Sequence, residues 1–275
     1  DYERDCCLFL DEAAINPGKE YCPGSSLLLG NTTLTNLNEV ATHVLVFMLG
    51  GISLRWKQIV CYHFTGDSTE GDALSRIVKE IIVMCDRIGL NLVNVTSDMG
   101  ASNRTMWKVL GIKSTKRQFQ NSIVNPNDES KNVYFAADAP HLYKNIRSAL
   151  VNNKIIELPV DITEKYHLPT NIVNVSHIKN LADFQEDLDL QLAPKLTPEL
   201  LNLNHFSTMK VSNAYHLLHR NVSAARNFLV DEVDETDKNA LTTAWFVGAI
   251  HKWFCLLTSR SRNLALSKFN LTVYQ

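Results

Sequence analysis

Apolar runs separated by turn residues dominate the first half of the chain and are interrupted by one clear helical pattern. Between Leu74 and Ile88 apolar residues recur at helical spacing; Ser68 or Thr69 can cap this helix, and Gly89 can end it. Strands are predicted at residues 7–15, 26–29, 41–49 (with 58–64 as its continuation), 90–97 and 133–137. Shorter helices are predicted at 103–110 and 140–151, and a polar loop at 113–131.

This order of three strands, helix, strand, helix, strand, helix is that of the RNase H fold. Short connections join the first three strands, which we therefore expect to be antiparallel, whereas helices separate the later strands, which we expect to be parallel. The predicted fold class is α/β, with an RNase H-like mixed sheet followed by a mostly helical insertion domain.

The pattern changes after residue 153. Residues 154–175 look irregular, and 176–192 helical. Thr197, Pro198 and Glu199 have the residue types of a capped helix start. Long amphipathic helices are predicted at 207–230 and 237–259, on either side of an acidic turn. We therefore predict two domains, 1–153 and 154–275.

Composition removes several classes of protein. The 275 residues are 45% hydrophobic and 20% charged, as in ordinary globular proteins, with a formal net charge of −2. Any DNA contact must therefore come from local patches or from segments outside this chain. Six cysteines without a CxxC pair indicate neither a zinc site nor a disulfide framework. With no signal peptide and no apolar stretch of about 18 residues apparent, we expect a reducing intracellular compartment and no membrane partner. A first residue other than Met suggests a fragment.

Two aspartates belong to predicted strands. Asp11 lies in the first apolar run, and Asp98 ends the fourth. In an RNase H sheet these strands are neighbours, so the two carboxylates would converge as hard-oxygen ligands for Mg²⁺ or Mn²⁺. Two such ions about 4 Å apart can activate a nucleophile and stabilise a leaving oxygen of a phosphodiester. Glu12 should point to the opposite face. The alternative is that Asp11 and Asp98 only cap turns or helices.

A third aspartate, Asp138, ends the last strand, and Lys144 follows on the next helix. A helix N-terminus with a nearby lysine suits phosphate. From the residues alone the simpler interpretation is favoured, that Asp138 caps the helix and Lys144 is solvated. The chain has no GxxxxGK[ST] motif, so it is not a P-loop nucleotide binder.

Several short motifs together resemble the P-element transposases and the THAP-domain transposase-derived proteins of animals. They are LFLDE at 8–12, ATHVLVF at 41–47, RWK at 55–57, TSDMGASN at 96–103, DAPHLYKNIR at 138–147, APKLT at 193–197, MKV at 209–211, VSAA at 222–225, WF at 253–254 and SR at 259–260. No single motif is decisive, but their shared order along nearly the whole chain is specific.

The resemblance implies a metal-dependent cut-and-paste DNA transposase whose nuclease domain is interrupted by a GTP-binding insertion. Asp11 and Asp98 match the family's first two catalytic acids, and Asp138 and Lys144 match positions used for the guanine nucleotide. GTP would be a cofactor of assembly on DNA. The implied partners are transposon and target DNA and further copies of the chain, in the nucleus.

Three departures leave open whether the chain is itself an enzyme. The family's third acid, a glutamate beyond the insertion, is not found, so the chain is expected to be incomplete and, alone, unable to cleave or join DNA. Cys255 stands where relatives often carry aspartate, and the N-terminal THAP domain is absent.

Two other functions stay open. The chain could be a domesticated protein that binds DNA or partners without cutting. It could also be a 3′–5′ exonuclease of the same fold, although that family uses Asp-x-Glu on one strand face and a Tyr-x-x-x-Asp motif on a helix. Here Asp11 and Glu12 are adjacent, and residues 134–138 are predicted to be a strand.

Overall fold

The computed structural model describes residues 2–34, 39–67, 70–115, 118–232 and 237–259. The suggested capping residues Ser68 and Thr69 lie outside them. The chain divides into two compact units, of which the first ends at Asp138 and the second begins at Ala139. The structural division therefore lies before the helix predicted at 140–151, whereas the sequence predicted the domain boundary after that helix, at residue 153. The domain ranges 1–153 and 154–275 stay a prediction.

Among its described residues the first unit contains a 3-10 turn (Tyr2–Arg4), followed by ten strands and two α-helices. In chain order they are β1 (Asp5–Ala14), β2 (Glu20–Cys22), β3 (Leu27–Leu29), β4 (His43–Gly51), β5 (Lys57–Thr65), α1 (Gly71–Arg87), β6 (Asn91–Ser97), α2 (Ala101–Val109), β7 (Lys113–Ser114), β8 (Phe119–Gln120), β9 (Ser122–Asn125) and β10 (Asp128–Ala137). Six of the strands form one sheet in the order β5-β4-β1-β6-β10-β9.

The predicted mixed sheet is confirmed. Strand β4 is antiparallel to both β1 and β5, whereas β6 is parallel to β1 and to β10. The prediction that residues 26–29 form the second strand of this sheet is wrong, because β3 pairs with β2 in a separate hairpin. The third antiparallel strand is β5 instead.

The polar loop predicted at 113–131 is also wrong. Strands β7 and β8 form a hairpin there, and β9 pairs antiparallel with β10 at the edge of the main sheet. Strands β7, β8 and β9 are short, and most of their residues are exposed to solvent. They therefore carry little of the apolar alternation by which a strand is recognised in a sequence.

The core of the first unit lies between the sheet and helices α1 and α2. Every second residue of β1 (Cys6, Leu8 and Leu10) is buried against α1, whose buried side includes Leu74 and Ile82. The two helices approach closely at Gly71, where a Cβ atom would come within 2.6 Å of the Thr105 side chain. Helix α1 therefore begins with the residue that lets α2 pack beside it.

The second unit is mostly helical, as predicted. Its elements are α3 (Ala139–Asn153), β11 (Ile155–Glu157), α4 (Val160–Lys165), β12 (Ile172–Asn174), α5 (Val175–Gln185), a 3-10 turn (Pro198–Leu201), α6 (His205–Thr208), α7 (Val211–Leu217), α8 (Arg220–Glu232) and α9 (Ala240–Thr258). Strands β11 and β12 form an antiparallel pair within the segment predicted to be irregular. Thr197 makes no side-chain capping bond, and only the 3-10 turn follows it.

The long helix predicted at 207–230 is wrong, because α6, α7 and α8 divide it. A tertiary hydrogen bond accompanies the second break: the Tyr143 hydroxyl donates to the Leu218 carbonyl oxygen over 3.0 Å. The side chain of Asn213 donates to the Ser207 carbonyl oxygen at the first break. Apolar periodicity continues across both breaks, so the sequence pattern did not show them.

Helix α9 forms part of the core of the second unit. Its Phe246 and Phe254 side chains are buried, and Tyr143 stacks on Phe254 with ring centroids 4.1 Å apart. Among the described residues, α9 is long and apolar enough to cross a membrane by length and composition alone, contrary to the expectation from sequence. The core position of its aromatic residues accounts for this apolar composition, since core helices pass the same test.

Candidate functional site

The candidate metal site begins with the register of two parallel strands. Leu10 of β1 is aligned with Ser97 of β6. Asp11 and Asp98 are the next residues along the chain from this pair, at the carboxyl edge of the sheet. Adjacent strands lie about 4.7–4.9 Å apart. The expected adjacency of the two aspartate-bearing strands is therefore confirmed.

The side chain of Asp98 is held in place by the turn that follows it. Its Oδ1 accepts hydrogen bonds from the Gly100 backbone N–H at 3.0 Å and from the Asn103 side-chain amide at 2.6 Å. A Cβ atom at position 100 would lie 3.1 Å from this oxygen. Sequence reasoning did not assign Asn103 a role; its signal is an amide in the first turn of the helix after a strand-end aspartate.

The expectation that Glu12 points away from the candidate metal site does not fit the position of Asp98. Both line a pocket of about 230 Å³, together with Asp67 and Asn103. Alternation along β1 places Glu12 on the face of Leu8 and Leu10, the side on which α1 packs, and places Asp11 on the opposite face, outside the residues that line this pocket. After Ser97 the chain turns into α2, which packs on this same face. The turn at 98–100 thereby brings Asp98 to the pocket, an effect that strand alternation alone does not include.

The donor atoms at this edge suit a hard cation, since carboxylate oxygens are the ligands Mg²⁺ prefers. Some of these oxygens already accept hydrogen bonds: the Thr65 hydroxyl donates to Glu12 Oε1 at 2.7 Å, and the Thr42 hydroxyl to Asp67 Oδ1 at 3.1 Å. The described ranges contain no group of three acidic, histidine or cysteine side chains arranged for a metal ion. Two carboxylates with water and substrate phosphate are nevertheless a usual Mg²⁺ environment.

Asp138 lies at the same edge of the sheet. Ala137 of β10 is aligned with Ser97 of β6, and the Asp138 backbone N–H donates to the Ser97 carbonyl oxygen over 2.8 Å. The parallel strands β6 and β10 are therefore each followed by an aspartate at this edge, whereas Asp11 lies within β1, which continues to Ala14. Lys144 is half-buried on α3, the helix that starts directly after Asp138.

Cys255 belongs to an aromatic and histidine cluster in the second unit that sequence reasoning missed. Its Sγ lies 3.4 Å from Nε2 of His251, and the His219 and His251 rings meet edge to face at 4.7 Å. Burial, followed by the nearby His219 and Arg220, lowers the pKa of His251 to about 4. Tyr215 contacts both rings, and together with His219 it lines a pocket of about 200 Å³. The imidazole of His251 is therefore neutral at neutral pH.

Comparison with known proteins agrees with this architecture. Residues 1–111 match the model of the TNP-like RNase H N-terminal domain, and residues 140–268 match that of the TNP-like GTP-binding insertion domain. In a solved structure titled "Drosophila P element transposase strand transfer complex", one chain superimposes with a TM-score of 0.78 at 21% identity. This superposition covers 94% of the present chain and 52% of that chain.

Two curated relatives match almost the whole chain. The Transposable element P transposase of Drosophila melanogaster is 25% identical over 94% of this chain and 31% of its own length. The human DNA transposase THAP9 is 24% identical over 93% of this chain and 28% of its own length. The chain thus spans under a third of each relative. The resemblance expected from the motifs is confirmed, and the chain belongs to the TNP-like family of P-element-type transposases and their relatives.

Proposed function

We propose that this chain is the part of a P-element-like cut-and-paste DNA transposase that holds the nuclease metal site and the GTP-binding insertion. The observation that carries the proposal is the register at the sheet edge, where Asp11 and Asp98 follow the aligned pair Leu10 and Ser97. The two family models support it, because they match the two halves expected to carry these sites.

Asp11 and Asp98 are the proposed ligands of Mg²⁺ or Mn²⁺. The ion, when bound, would polarise the phosphodiester and the attacking oxygen. Asn103 and the Gly100 backbone are proposed to orient Asp98 through the hydrogen bonds to its Oδ1. The second oxygen of that carboxylate would then face the ion.

GTP is proposed to be a cofactor of assembly, because residues 140–268 match the GTP-binding insertion domain. In this proposal Asp138 accepts hydrogen bonds from the Watson–Crick edge of guanine, and Lys144 pairs with a phosphate. The human relative is a DNA transposase, and the Drosophila P element transposase was solved in a strand transfer complex. By analogy, the partners of this chain would be transposon and target DNA. The chain would then act as a homo-oligomer on DNA in the nucleus.

A 3′–5′ exonuclease of the same fold is the second candidate, and one observation favours it. Asp138 lies beside Asp98 at the carboxyl edge, where an exonuclease would use it as a metal ligand. Against this candidate, Tyr134 lies within strand β10 rather than on a helix, as expected from the sequence. A domesticated protein would keep DNA or partner binding without cleavage.

Calorimetric titration of the chain with Mn²⁺ tests the proposal. Asp11→Asn and Asp98→Asn should each weaken binding about tenfold or more, because each removes a charged ligand. Glu20→Gln, at an exposed acid of β2, is the control and should change affinity little. Retained affinity in Asp11→Asn, with affinity abolished in Glu12→Gln, would contradict the assignment. A decrease in Asp138→Asn comparable to that in Asp98→Asn would favour the exonuclease.

A further inference from the structure

The longest acid-free stretch of the first unit is strongly basic. Between Asp98 and Asp128 there is no acidic residue, yet five of the chain's 27 lysines and arginines lie there. The chain as a whole has a formal net charge of −2. Positive charge is therefore concentrated in this stretch, although the whole chain is slightly negative.

Helix α2 presents part of this charge to solvent. Its inner side is fixed to the sheet by buried Met106 and by Trp107, whose indole N–H donates to the Ser97 hydroxyl over 3.2 Å. Arg104 and Lys108 are exposed and stand one helical turn apart. The inner contacts therefore hold the orientation of the outer, basic side.

Lys113 extends the basic surface beyond the helix. After α2 the chain reverses through Gly111, whose φ of +78° favours glycine, and enters β7 at Lys113. Lys113 is exposed and aligned with Gln120 of β8, and Phe119 is 72% exposed in the same hairpin. Lys116 and Arg117 lie outside the described residues, so the surface is defined by Arg104, Lys108 and Lys113.

The charges of this surface are not compensated within the described part of the chain. No ion pair joins Arg104, Lys108 or Lys113 to a carboxylate among those residues. Elsewhere Lys131 does pair, with Asp128 at 3.1 Å. Uncompensated, uniformly positive side chains on a rigid element match the regular negative charge of a nucleic-acid backbone.

The basic surface formed by Arg104, Lys108 and Lys113 begins close to the candidate metal site. Helix α2 starts at Ala101, three residues after Asp98, so the basic side of the helix begins at the candidate metal edge. We propose that Arg104, Lys108 and Lys113 bind phosphates of duplex DNA and lead the duplex to the carboxyl edge of the sheet. This placement of the duplex rests on the proposed function, whereas the binding itself does not require metal. Binding to phosphate would be independent of DNA sequence.

Fluorescence anisotropy with a labelled random-sequence duplex, in EDTA and over a range of salt concentrations, tests the proposal. The triple variant Arg104→Gln/Lys108→Gln/Lys113→Gln should bind about tenfold more weakly or worse at low salt. The slope of log K against log salt should become shallower by about 0.9 for each phosphate that the variant no longer neutralises. Thermal melting of both proteins checks that the variant is folded.

A matched control separates this surface from the general effect of charge. Arg76→Gln/Lys79→Gln/Arg87→Gln removes the same charge from exposed residues of α1 and should change neither affinity nor slope appreciably. Equal decreases in both triple variants, or no measurable binding by the unsubstituted chain at low salt, would overturn the proposal. Because EDTA removes divalent ions, binding in this assay does not involve the proposed metal site. Failure of the metal assignment would therefore not be mistaken for failure of this surface.

Discussion

The rotamer of the Asp98 side chain is fixed by its neighbours, as a carboxylate that orients a bound cation requires. Two donors hold its Oδ1: the backbone N–H of Gly100, where an added Cβ would crowd this oxygen, and the amide of Asn103. The Oδ1 atom of Asp11, by contrast, accepts only from the neighbouring Glu12 N–H, at 2.9 Å, among the hydrogen bonds of the described residues. We therefore assign Asn103 as a positioning residue for Asp98.

Replacing Asn103 by alanine should weaken Mn²⁺ binding about 10- to 100-fold, the usual effect of removing a hydrogen bond that orients a metal ligand. Ser102→Ala is the control, since Ser102 lines the same pocket on the same helix. Calorimetry gives the affinities, and urea unfolding shows whether stability has changed. If Asn103→Ala leaves the affinity unchanged, or if Ser102→Ala lowers it equally, Asn103 does not position the ligand.

Residue patterns predicted Asp11 and Asp98 because the first is a carboxylate within an apolar strand and the second ends another. They could not predict Asn103, whose hydrogen bond depends on the turn at 98–100. The expectation for Glu12 was wrong for the same reason, because that turn carries Asp98 toward the face that Glu12 shares. Positions on a strand follow from alternation, whereas the direction of a turn does not.

At the element scale, helix α1 was predicted within a few residues because its one buried face imposes a helical period on the apolar residues. The hairpin of β7 and β8 was missed because its strands are only two residues long and their residues are exposed. The division of 207–230 was missed because apolar periodicity runs through it, while the break at Leu218 coincides with a bond from Tyr143, 75 residues away in sequence. Tertiary contacts of this kind have no local signal.

Helix α9 carries a histidine that should make stability depend on pH. Burial lowers the pKa of His251 to about 4, from an ordinary value of 6.5. The unfolded chain then binds a proton at a higher pH than the folded one, so this contribution to stability is complete above pH 6.5 and disappears as pH falls toward 4. The decrease is at most about 3 kcal/mol, at about 1.36 kcal/mol per pH unit.

Urea unfolding between about pH 7 and pH 4.5, the range set by this titration, measures the effect. His251→Gln cannot titrate and should flatten the pH dependence of the free energy of unfolding of the second unit. His205→Gln removes an exposed histidine from the same unit and should leave the dependence as it was. An unchanged profile in His251→Gln would show that another group controls it.

For the whole molecule, each of the two compact units contains one matched domain model; the proposed phosphate-binding Lys144 lies in the second unit, whereas Asp138 is the last residue of the first. Both fold class and family could be inferred from the sequence because the motifs keep their order over nearly the whole chain. The nucleotide site could not be fixed in this way, because Asp138 ends a strand beside Asp98 and therefore suits a metal ligand as well as a base acceptor.

Titration with GTP, ATP and XTP tests the nucleotide proposal. Asp138→Asn replaces an acceptor by a donor and should shift preference from GTP toward XTP. Lys144→Ala should weaken all nucleotides by about 1.5–3 kcal/mol, as expected when a charged hydrogen bond is removed. Lys179→Ala, at an exposed lysine of α5, is the control. Equal affinity for the three nucleotides, unaffected by Asp138→Asn, would contradict a guanine site at this aspartate.

The proposed nuclease function depends on Asp11 and Asp98 holding one divalent ion between them. Anomalous diffraction from crystals of the chain soaked in Mn²⁺ locates that ion without reference to activity. We expect an anomalous peak within coordination distance of both carboxylates, and no such peak in crystals of Asp98→Asn. A peak bound by Glu12 and Asp98 without Asp11, or no peak at a saturating Mn²⁺ concentration, would contradict the assignment.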